Sequence, residues 1–454
     1  MYRIVRIMNI EFLGGAGGEV TGSCVVVTSS RGSKVMIDCG VFQGSSESKT
    51  IKYEEFGFDP NSLQAVFISH AHLDHTGRLP ALVAGGENFE GYSGNIYMTP
   101  PTRELTGLIL EDQMRVVQKK RERSFYNSRI LKQTLGQMIV VDYRKEFEVG
   151  DFTVGFYDAG HILGSSSIRI KEKGRGNPTI AVSGDLGGNF KHRIGNVDIA
   201  IEESTYGDRN RPYEDPEAIL QEEVNRLEGQ GRGVVMIPAF SVGRTQKVQN
   251  ILYNLKKTGR INKNTLVRLE SPMGRAATKI HQKYFNMTQK DNYDYHFEDI
   301  YNTRGMDHRI NKQQRRKAQP MVVIAGSGMM DGGKIRSYFA EWGPDAYSTI
   351  LFVGYLAEGS LGRQIAEGAE MVDIDGQDIP VNCRVRKISA LSSHLDQDGL
   401  IDWAAKIRSD SQGNLNQFIL VHGEEDSTKA LGERIEAELN TRTYSPKLRE
   451  VLTF

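Results

Sequence analysis

Between Ser69 and Thr76 the chain reads HAHLDH, so His70, His72, Asp74 and His75 fall within six residues, directly after the apolar run 65–68. Four metal-ligating side chains packed this closely behind a strand that reads as buried are costly unless a cation compensates them. One short loop cannot surround two ions, so further donors are expected from other strand ends. Of the ten histidines, His161 (AGHILGSSS), His394 (LSSHLDQD) and His422 (LVHGEEDS) stand at the same kind of boundary. A single histidine beside apolar residues is more often a core or surface residue; these gain weight by completing a donor set already half present. His70, His72 and His161 offer neutral imidazoles to one ion, and Asp74, His75 and His422 serve a second. Asp185, in SGDLGG after the strand 179–183, is the natural anionic bridge, with glycines that let backbone come close.

An all-nitrogen and oxygen donor set rich in imidazole suits zinc best, although ligand type alone also admits Mn or Fe. Two ions roughly 3.5–4 Å apart lower the pKa of a shared water to about 7 and clamp the attacking and leaving oxygens of a phosphate ester. The expected chemistry is metal-assisted hydrolysis with two Zn2+ per chain. Asp38, ending the strand 35–37, is better placed behind the ligands, holding an imidazole or the water in position. His394 is surplus to both ions and so free to act as general acid, with Glu203, after the strand 197–201, to orient its ring.

These residues need a scaffold, and 454 residues exceed what one hydrophobic core usually serves, so two domains are expected. Up to Tyr206 the chain is strand-rich, with short β-branched runs at 10–13, 24–28, 35–37, 65–69, 95–98, 138–141, 152–156, 167–170, 179–183 and 197–201. One long helix, about 101–131, interrupts them and ends in a basic tip, Lys119-Lys120-Arg121. Strands then alternate with helices (234–237, 248–255, 266–269, 321–324, 335–340, 350–353), as in a smaller α/β domain with a largely parallel sheet. Past about Arg386 the first texture returns, with a strand 385–389, a helix 400–407, a strand 418–421 and a closing helix 427–439. Metal-ligand candidates flank the α/β stretch on both sides, so the simplest topology is one metal domain interrupted by an insertion.

Lys+Arg and Asp+Glu both total 57, so no global field draws the chain to nucleic acid or membrane. Between Arg244 and Lys317, however, seventeen Lys or Arg stand against six Asp or Glu, a local surplus that suits a polyanion groove or an ordinary solubilising surface. Cys24, Cys39 and Cys383 are too few and scattered for a disulfide framework or thiolate metal site, which fits buried free thiols in a reducing cytoplasm. No export signal is expected at the N-terminus, and no apolar run is long enough to span a bilayer.

HAHLDH, AGHILGSSS, SGDLGG and Asp38 resemble the metallo-β-lactamase fold, an α/β class four-layer α/β/β/α sandwich with a di-zinc site along one edge. The inserted stretch resembles the β-CASP nucleases of that superfamily, through EESTYGDR, IPAFSVGRTQKV, LESPMGRA, AGSGMMDGGK and FVGYLAEGSLGR, followed by SSHLD and LVHGEE. These segments cover nearly the whole chain in the family's order. The overall likeness is to bacterial and archaeal relatives of the endonuclease subunit of the cleavage and polyadenylation specificity factor. The implied domains are 1–206 (metallo-β-lactamase, first part), 207–386 (β-CASP) and 387–454 (metallo-β-lactamase, C-terminal part). The resemblance implies catalysis by Asp185, Asp38 and the Glu203–His394 pair, which donates a proton to the leaving 3′-oxygen. It also implies RNA as the partner, because RNA-cleaving members carry His at the last motif, here His422, where DNA-acting relatives carry Val. RNA would pass between the domains, with Ser241, Arg244, Ser327 and the amides of Gly326, Gly328, Gly332 and Gly333 on its phosphates. Glycine-rich turns more often serve strand-to-helix geometry alone.

The expected activity is zinc-dependent hydrolysis of RNA phosphodiesters, endonucleolytic in RNA processing or decay, in a cytoplasmic protein with no membrane partner; a homodimer is compatible with this. A 5′-3′ exoribonuclease or a DNA nuclease of the same fold is chemically close. A small-molecule hydrolase on this scaffold has no need of a large basic insertion. A non-catalytic RNA-binding scaffold subunit has no need of a full ligand set.

Overall fold

A computed structural model of the chain describes residues 8–42, 56–86, 89–119, 126–174, 176–188, 193–212, 214–284, 320–354, 356 and 359–454. It divides into two compact units, Met1–Asn210 with His394–Phe454, and Arg211–Ser393.

Among the described residues the first unit holds two seven-stranded sheets. One runs in the order Val451–Thr453, Asn9–Gly14, Cys24–Thr28, Lys34–Ile37, Leu63–Phe67, Ile96–Met98 and Met138–Val140. The other runs Arg442–Tyr444, Gln417–Val421, Ile199–Glu203, Thr179–Val182, Ser166–Glu172, Phe152–Asp158 and Phe147–Val149. Alternate residues of both sheets, among them Phe12, Val27, Phe67, Phe156, Ile170 and Ile201, meet in one shared core. The opposite face of the first sheet packs Val26, Met36 and Val66 on Leu79, Leu82, Leu110 and Leu131 of the helices that follow it in sequence. The opposite face of the second packs Ala181, Ala200 and Phe418 on Leu400, Trp403, Leu431 and Ile435. Strands buried on both faces read as unbroken apolar runs rather than alternations, and the resulting layers are α/β/β/α.

Carboxyl ends cluster where chemistry is expected. Lys34–Ile37 runs parallel to Leu63–Phe67, and both end at the Asp38 and HAHLDH turns. Thr179–Val182, Ile199–Glu203 and Gln417–Val421 are mutually parallel and lead to Asp185, Glu203 and His422. The two sheets are tied at this end, where the Ser166 amide donates to Ser69 O at 2.8 Å.

The second unit holds a parallel sheet of five strands among the described residues, in the order Leu266–Leu269, Met321–Ala325, Val234–Pro238, Thr349–Phe352 and Arg384–Lys387. The helix Arg244–Lys257, which follows Val234–Pro238, packs Val248 and Leu252 on one face. The helix Lys334–Trp342, which follows the neighbouring Met321–Ala325, packs Ile335 and Phe339 on the other. The gap between those two strands is therefore a topological switch point, where doubly wound sheets bind ligands.

Several expectations need correction. The strand expected at 385–389 as part of the returning metal domain is Arg384–Lys387, and it pairs with Thr349–Phe352 in the second unit. Residues 207–210 instead stay with the first unit, because the helix Gln397–Asp410 binds them: the Gln397 amide donates to Arg209 O and its side chain to Gly207 O. The single helix expected at 101–131 is two, Pro100–Lys119 and Ser128–Gly136, the second started by the Asn127 side chain accepting from the Ile130 amide. Lys120 and Arg121 of its basic tip lie outside the described residues, as does 285–319 of the basic stretch. The expected strand 197–201 is Ile199–Glu203, which makes Glu203 a strand residue in phase with Ile199 and Ile201. The three cysteines are free and buried. Among the described residues no helix is long and apolar enough to cross a membrane.

Glu202 points to the opposite face from Glu203, is fully buried, and neither carboxyl oxygen has a hydrogen-bond partner among the described residues. Burial, reinforced by the charge of Glu203, holds its carboxyl well above the usual range. The folded state thus keeps a proton that the unfolded chain releases above about pH 4.5, so stability falls as pH rises beyond that point, by at most about 1.4 kcal/mol per unit. Denaturant titrations at pH 5 and pH 8 should show Glu202→Gln gaining on the wild type as pH rises; parallel pH dependence would contradict a protonated Glu202.

Candidate metal centre

Asp38 takes a left-handed backbone, φ 59°. Its carboxylate accepts from the Ser69 amide, from Ser69 Oγ and from His75 Nδ1, each at 2.7 Å. The turn it begins lies against HAHLDH: the Cys39 amide donates to His75 O at 2.8 Å and Val41 to Leu73 O at 3.0 Å. Only glycine permits this approach, because a Cβ on Gly40 would fall 1.5 Å from Asp74 O. Gly184, at φ 57°, turns the chain out of the strand Thr179–Val182 just before Asp185.

The donors form two groups around Asp185, which is 2% exposed. His72 Nδ1 lies 3.1 Å from His70 Nε2 and 3.2 Å from His161 Nε2. Asp185 Oδ2 lies 3.4 Å from His70 Nε2 and 3.5 Å from His161 Nε2. On the other side Asp185 Oδ1 lies 3.2 Å from His75 Nε2 and 3.7 Å from His422 Nε2. The two Nε2 atoms are 3.3 Å apart, and Asp74 Oδ2 is 3.6 Å from His422 Nε2. Both clusters qualify as candidate metal-binding groups. Tetrahedral zinc with bonds of about 2.0–2.1 Å separates its donors by about 3.3–3.4 Å, so the first group matches a zinc polyhedron closely and the second is somewhat wider. Among the described residues Asp185 Oδ1 is buried with no hydrogen-bond partner, as a carboxylate oxygen reserved for a cation would be. The residues fit the group that their types imply.

Burial holds His70 well below the usual histidine range, helped by the positive charge of His75, and it brings His72 down to about 4 against the pull of Asp74 and Asp185. Both are neutral at pH 7, with lone pairs available. Burial would raise Asp74, but the hydrogen bond from His422 and the charges of His75 and His422 bring it down to about 2. His75 and His422 go the other way: burial disfavours their charged forms, yet Asp185 and neighbouring carboxylates raise both. A divalent cation at these rings would bind in competition with protons.

His394, with its side chain 19% exposed, stands apart from both groups. Its Nδ1 faces Glu203 Oε1 at 3.0 Å and Oε2 at 3.1 Å, and its Nε2 lies 3.8 Å from Asp185 Oδ2. Glu203 is itself fixed by the amides of Leu186 (2.7 Å) and Thr205 (3.3 Å). Burial opposes charge on His394, but Glu203 and Asp185 outweigh it and raise the pKa.

Two polar residues escaped the reading of the sequence. Ser69 joins Asp38 to the ring of His70, at 3.1 Å from its Nδ1, and Thr205 Oγ1 lies 3.1 Å from His422 Nδ1. Ser69 directly precedes HAHLDH, and Thr205 lies within EESTYGDR, which is the only signal either gives. The expected substrate contacts lie in the second unit. Ser241 and Arg244 follow the strand Val234–Pro238, and Ser327 and Gly328 follow Met321–Ala325, so all four stand at the switch point. Ser241 Oγ meets Ser271 Oγ at 3.0 Å, while Ser327 Oγ is buried and has no hydrogen-bond partner among the described residues.

Family models match along the chain: the metallo-beta-lactamase superfamily over residues 17–235, a Beta-Casp domain over 245–365, and a Zn-dependent metallo-hydrolase RNA specificity domain over 378–446. Ribonuclease TTHA0252 of Thermus thermophilus is 33% identical over 433 residues, covering 92% of this chain and 94% of that protein. The chain belongs to the β-CASP branch of the metallo-β-lactamase superfamily. Transcription termination factor FttA of Thermococcus kodakarensis is 30% identical to this β-CASP protein over 471 residues, covering 96% of this chain and 70% of FttA. A crystal structure of a protein of unknown function from Enterococcus faecalis V583 aligns with 99% of the chain and 100% of its own, at a TM-score of 0.57 and 13% identity, a likeness of fold alone. As a β-CASP protein with these donor groups, the chain is a metal-dependent hydrolase.

Supporting residues of this kind typically contribute 10–100-fold to metal affinity. Asp38→Asn removes one of the two oxygens that serve Ser69 and His75, and it should weaken zinc retention by about that factor in a chelator competition. Retention equal to wild type would separate Asp38 from the centre.

Proposed function

We propose that this chain is a zinc-dependent ribonuclease that cuts internal phosphodiester bonds of RNA in the cytoplasm. The observation that carries this reading is the bridging position of Asp185, with one carboxylate oxygen toward His70, His72 and His161 and the other toward Asp74, His75 and His422. RNA as substrate is supported by the RNA specificity domain match over residues 378–446, by a relative named a ribonuclease, and by histidine rather than valine at position 422.

When bound, a pair of zinc ions supplies an activated water at neutral pH and neutralises charge that builds up on the phosphate. The chain's own residues do the rest. Asp38 keeps His75 oriented, and Asp185 holds the two donor groups in register. His394, its Nδ1 turned to Glu203 and its pKa raised, carries a proton to the leaving 3′-oxygen on the opposite ring nitrogen. Ser327 Oγ, buried and unpartnered among the described residues, and Ser241 at the switch point supply hydroxyls for RNA phosphates, alongside Arg244 and the amide of Gly328.

Zinc-loaded protein incubated with a circular RNA tests endonucleolytic action directly. Linear product is expected, and a circle left intact while end-labelled linear RNA is degraded would move the assignment to an exonuclease. In the same assay His394→Ala should keep its zinc and cut about 10²–10⁴-fold more slowly; an undiminished rate would reject it as the acid. Ser327→Ala should weaken RNA binding by about 0.5–1.5 kcal/mol, and unaltered affinity would remove it from the substrate path.

A further inference from the structure

The rings of the donor groups differ in what holds their second nitrogen. His75 Nδ1 is held by a carboxylate, Asp38 Oδ2 at 2.7 Å, whereas His422 Nδ1 meets the neutral hydroxyl of Thr205. The backbone brings this pair together. Ile199–Glu203 and Gln417–Val421 run parallel with Glu203 opposite Val421, so Ser204 and Thr205 leave the sheet beside His422. Ser204 Oγ donates to Val421 O at 2.8 Å, which fixes the exit of the two chains. His422 then enters a left-handed conformation, φ 55°, that leaves both its ring and its carbonyl facing Thr205.

Thr205 Oγ1 lies 3.1 Å from His422 Nδ1 and 3.1 Å from His422 O. A carbonyl can only accept, so the single hydroxyl proton goes to His422 O and the hydroxyl oxygen is left to accept from the ring. Nδ1 therefore carries hydrogen, and the lone pair of the neutral ring sits on Nε2. That is the nitrogen facing His75 Nε2 at 3.3 Å, Asp74 Oδ2 at 3.6 Å and Asp185 Oδ1 at 3.7 Å. With the hydroxyl removed, Nδ1–H has no acceptor at that position, and the opposite tautomer, which cannot ligate through Nε2, becomes accessible.

We infer that Thr205 is a positioning residue that locks His422 in the tautomer donating through Nε2, and so sets the zinc affinity of the Asp74–His75–His422 group. The inference rests on the proposed zinc centre. The Thr205 amide, which donates to Glu203, is untouched by a side-chain change, so the His394–Glu203 pair is a separate matter.

The discriminating pair is Thr205→Val, which keeps the branched shape and loses the hydroxyl, and Thr205→Ser, which keeps the hydroxyl and loses the methyl. Zinc content is measured by elemental analysis and affinity by competition with a chromophoric chelator; thermal melting of the metal-free proteins reports general damage. Thr205→Val should hold one of its two ions about 10–100-fold more weakly than wild type, and Thr205→Ser should restore wild-type affinity. Equal affinity in Thr205→Val, or a Thr205→Ser protein as weak as Thr205→Val, overturns the assignment. Should Thr205→Val fail to fold, Thr205→Ala takes its place: weaker zinc affinity supports the lock and wild-type affinity refutes it. A wild type that binds no zinc would sink the proposed function itself, and this lock with it.

Discussion

The carboxylate of Asp185 is buried with imidazole nitrogens of His70, His161, His75 and His422 within 3.7 Å of its oxygens. Ring nitrogens aimed at one another across little more than 3 Å place lone pairs face to face. Such a cluster persists only with positive charge between its members, whether protons or metal ions. The protein leaves two such places, one on each side of a single carboxylate. Burial in this cluster depresses the pKa of His72, while Asp185 and the neighbouring carboxylates raise those of His75 and His422.

The sandwich answers this constraint through its strand directions. A parallel strand delivers its carboxyl end to the same edge as its neighbours, so Asp185, Glu203 and His422 arrive together from three adjacent strands. Asp38 and HAHLDH arrive from two parallel strands of the other sheet. The turns are then tightened by close backbone approach, as at Gly40 against Asp74. Rigid strands on one side and short hydrogen-bonded turns on the other set the spacing of the donors, which is the positioning that metal-assisted hydrolysis needs.

Much of this was legible in the sequence, because chemistry-bearing residues followed directly on apolar runs: HAHLDH after 65–68, Asp185 after 179–183 and His422 after 418–421. What stayed hidden has physical causes. Ser69 and Thr205 are hydroxyl residues of a kind found in any loop, and their value lies in a hydrogen bond to a residue that only folding brings near. The strand Arg384–Lys387 alternates as well in one sheet as in another, so its pattern could not tell which unit owns it. The second helix near 101–131 starts at a side-chain cap, Asn127, whose hydrogen bond to the Ile130 amide a pattern of apolar residues does not reveal. Glu202 beside Glu203 reads as a charged pair, yet strand geometry sends one to the site and buries the other with no hydrogen-bond partner among the described residues.

Anomalous scattering from a crystal of the purified protein, recorded at the zinc edge, bears most directly on the central claim. The account predicts two peaks roughly 3.5–4 Å apart, with Asp185 between them, one among His70, His72 and His161 and the other among Asp74, His75 and His422. A single peak away from Asp185, or no transition metal in an active preparation, would contradict it.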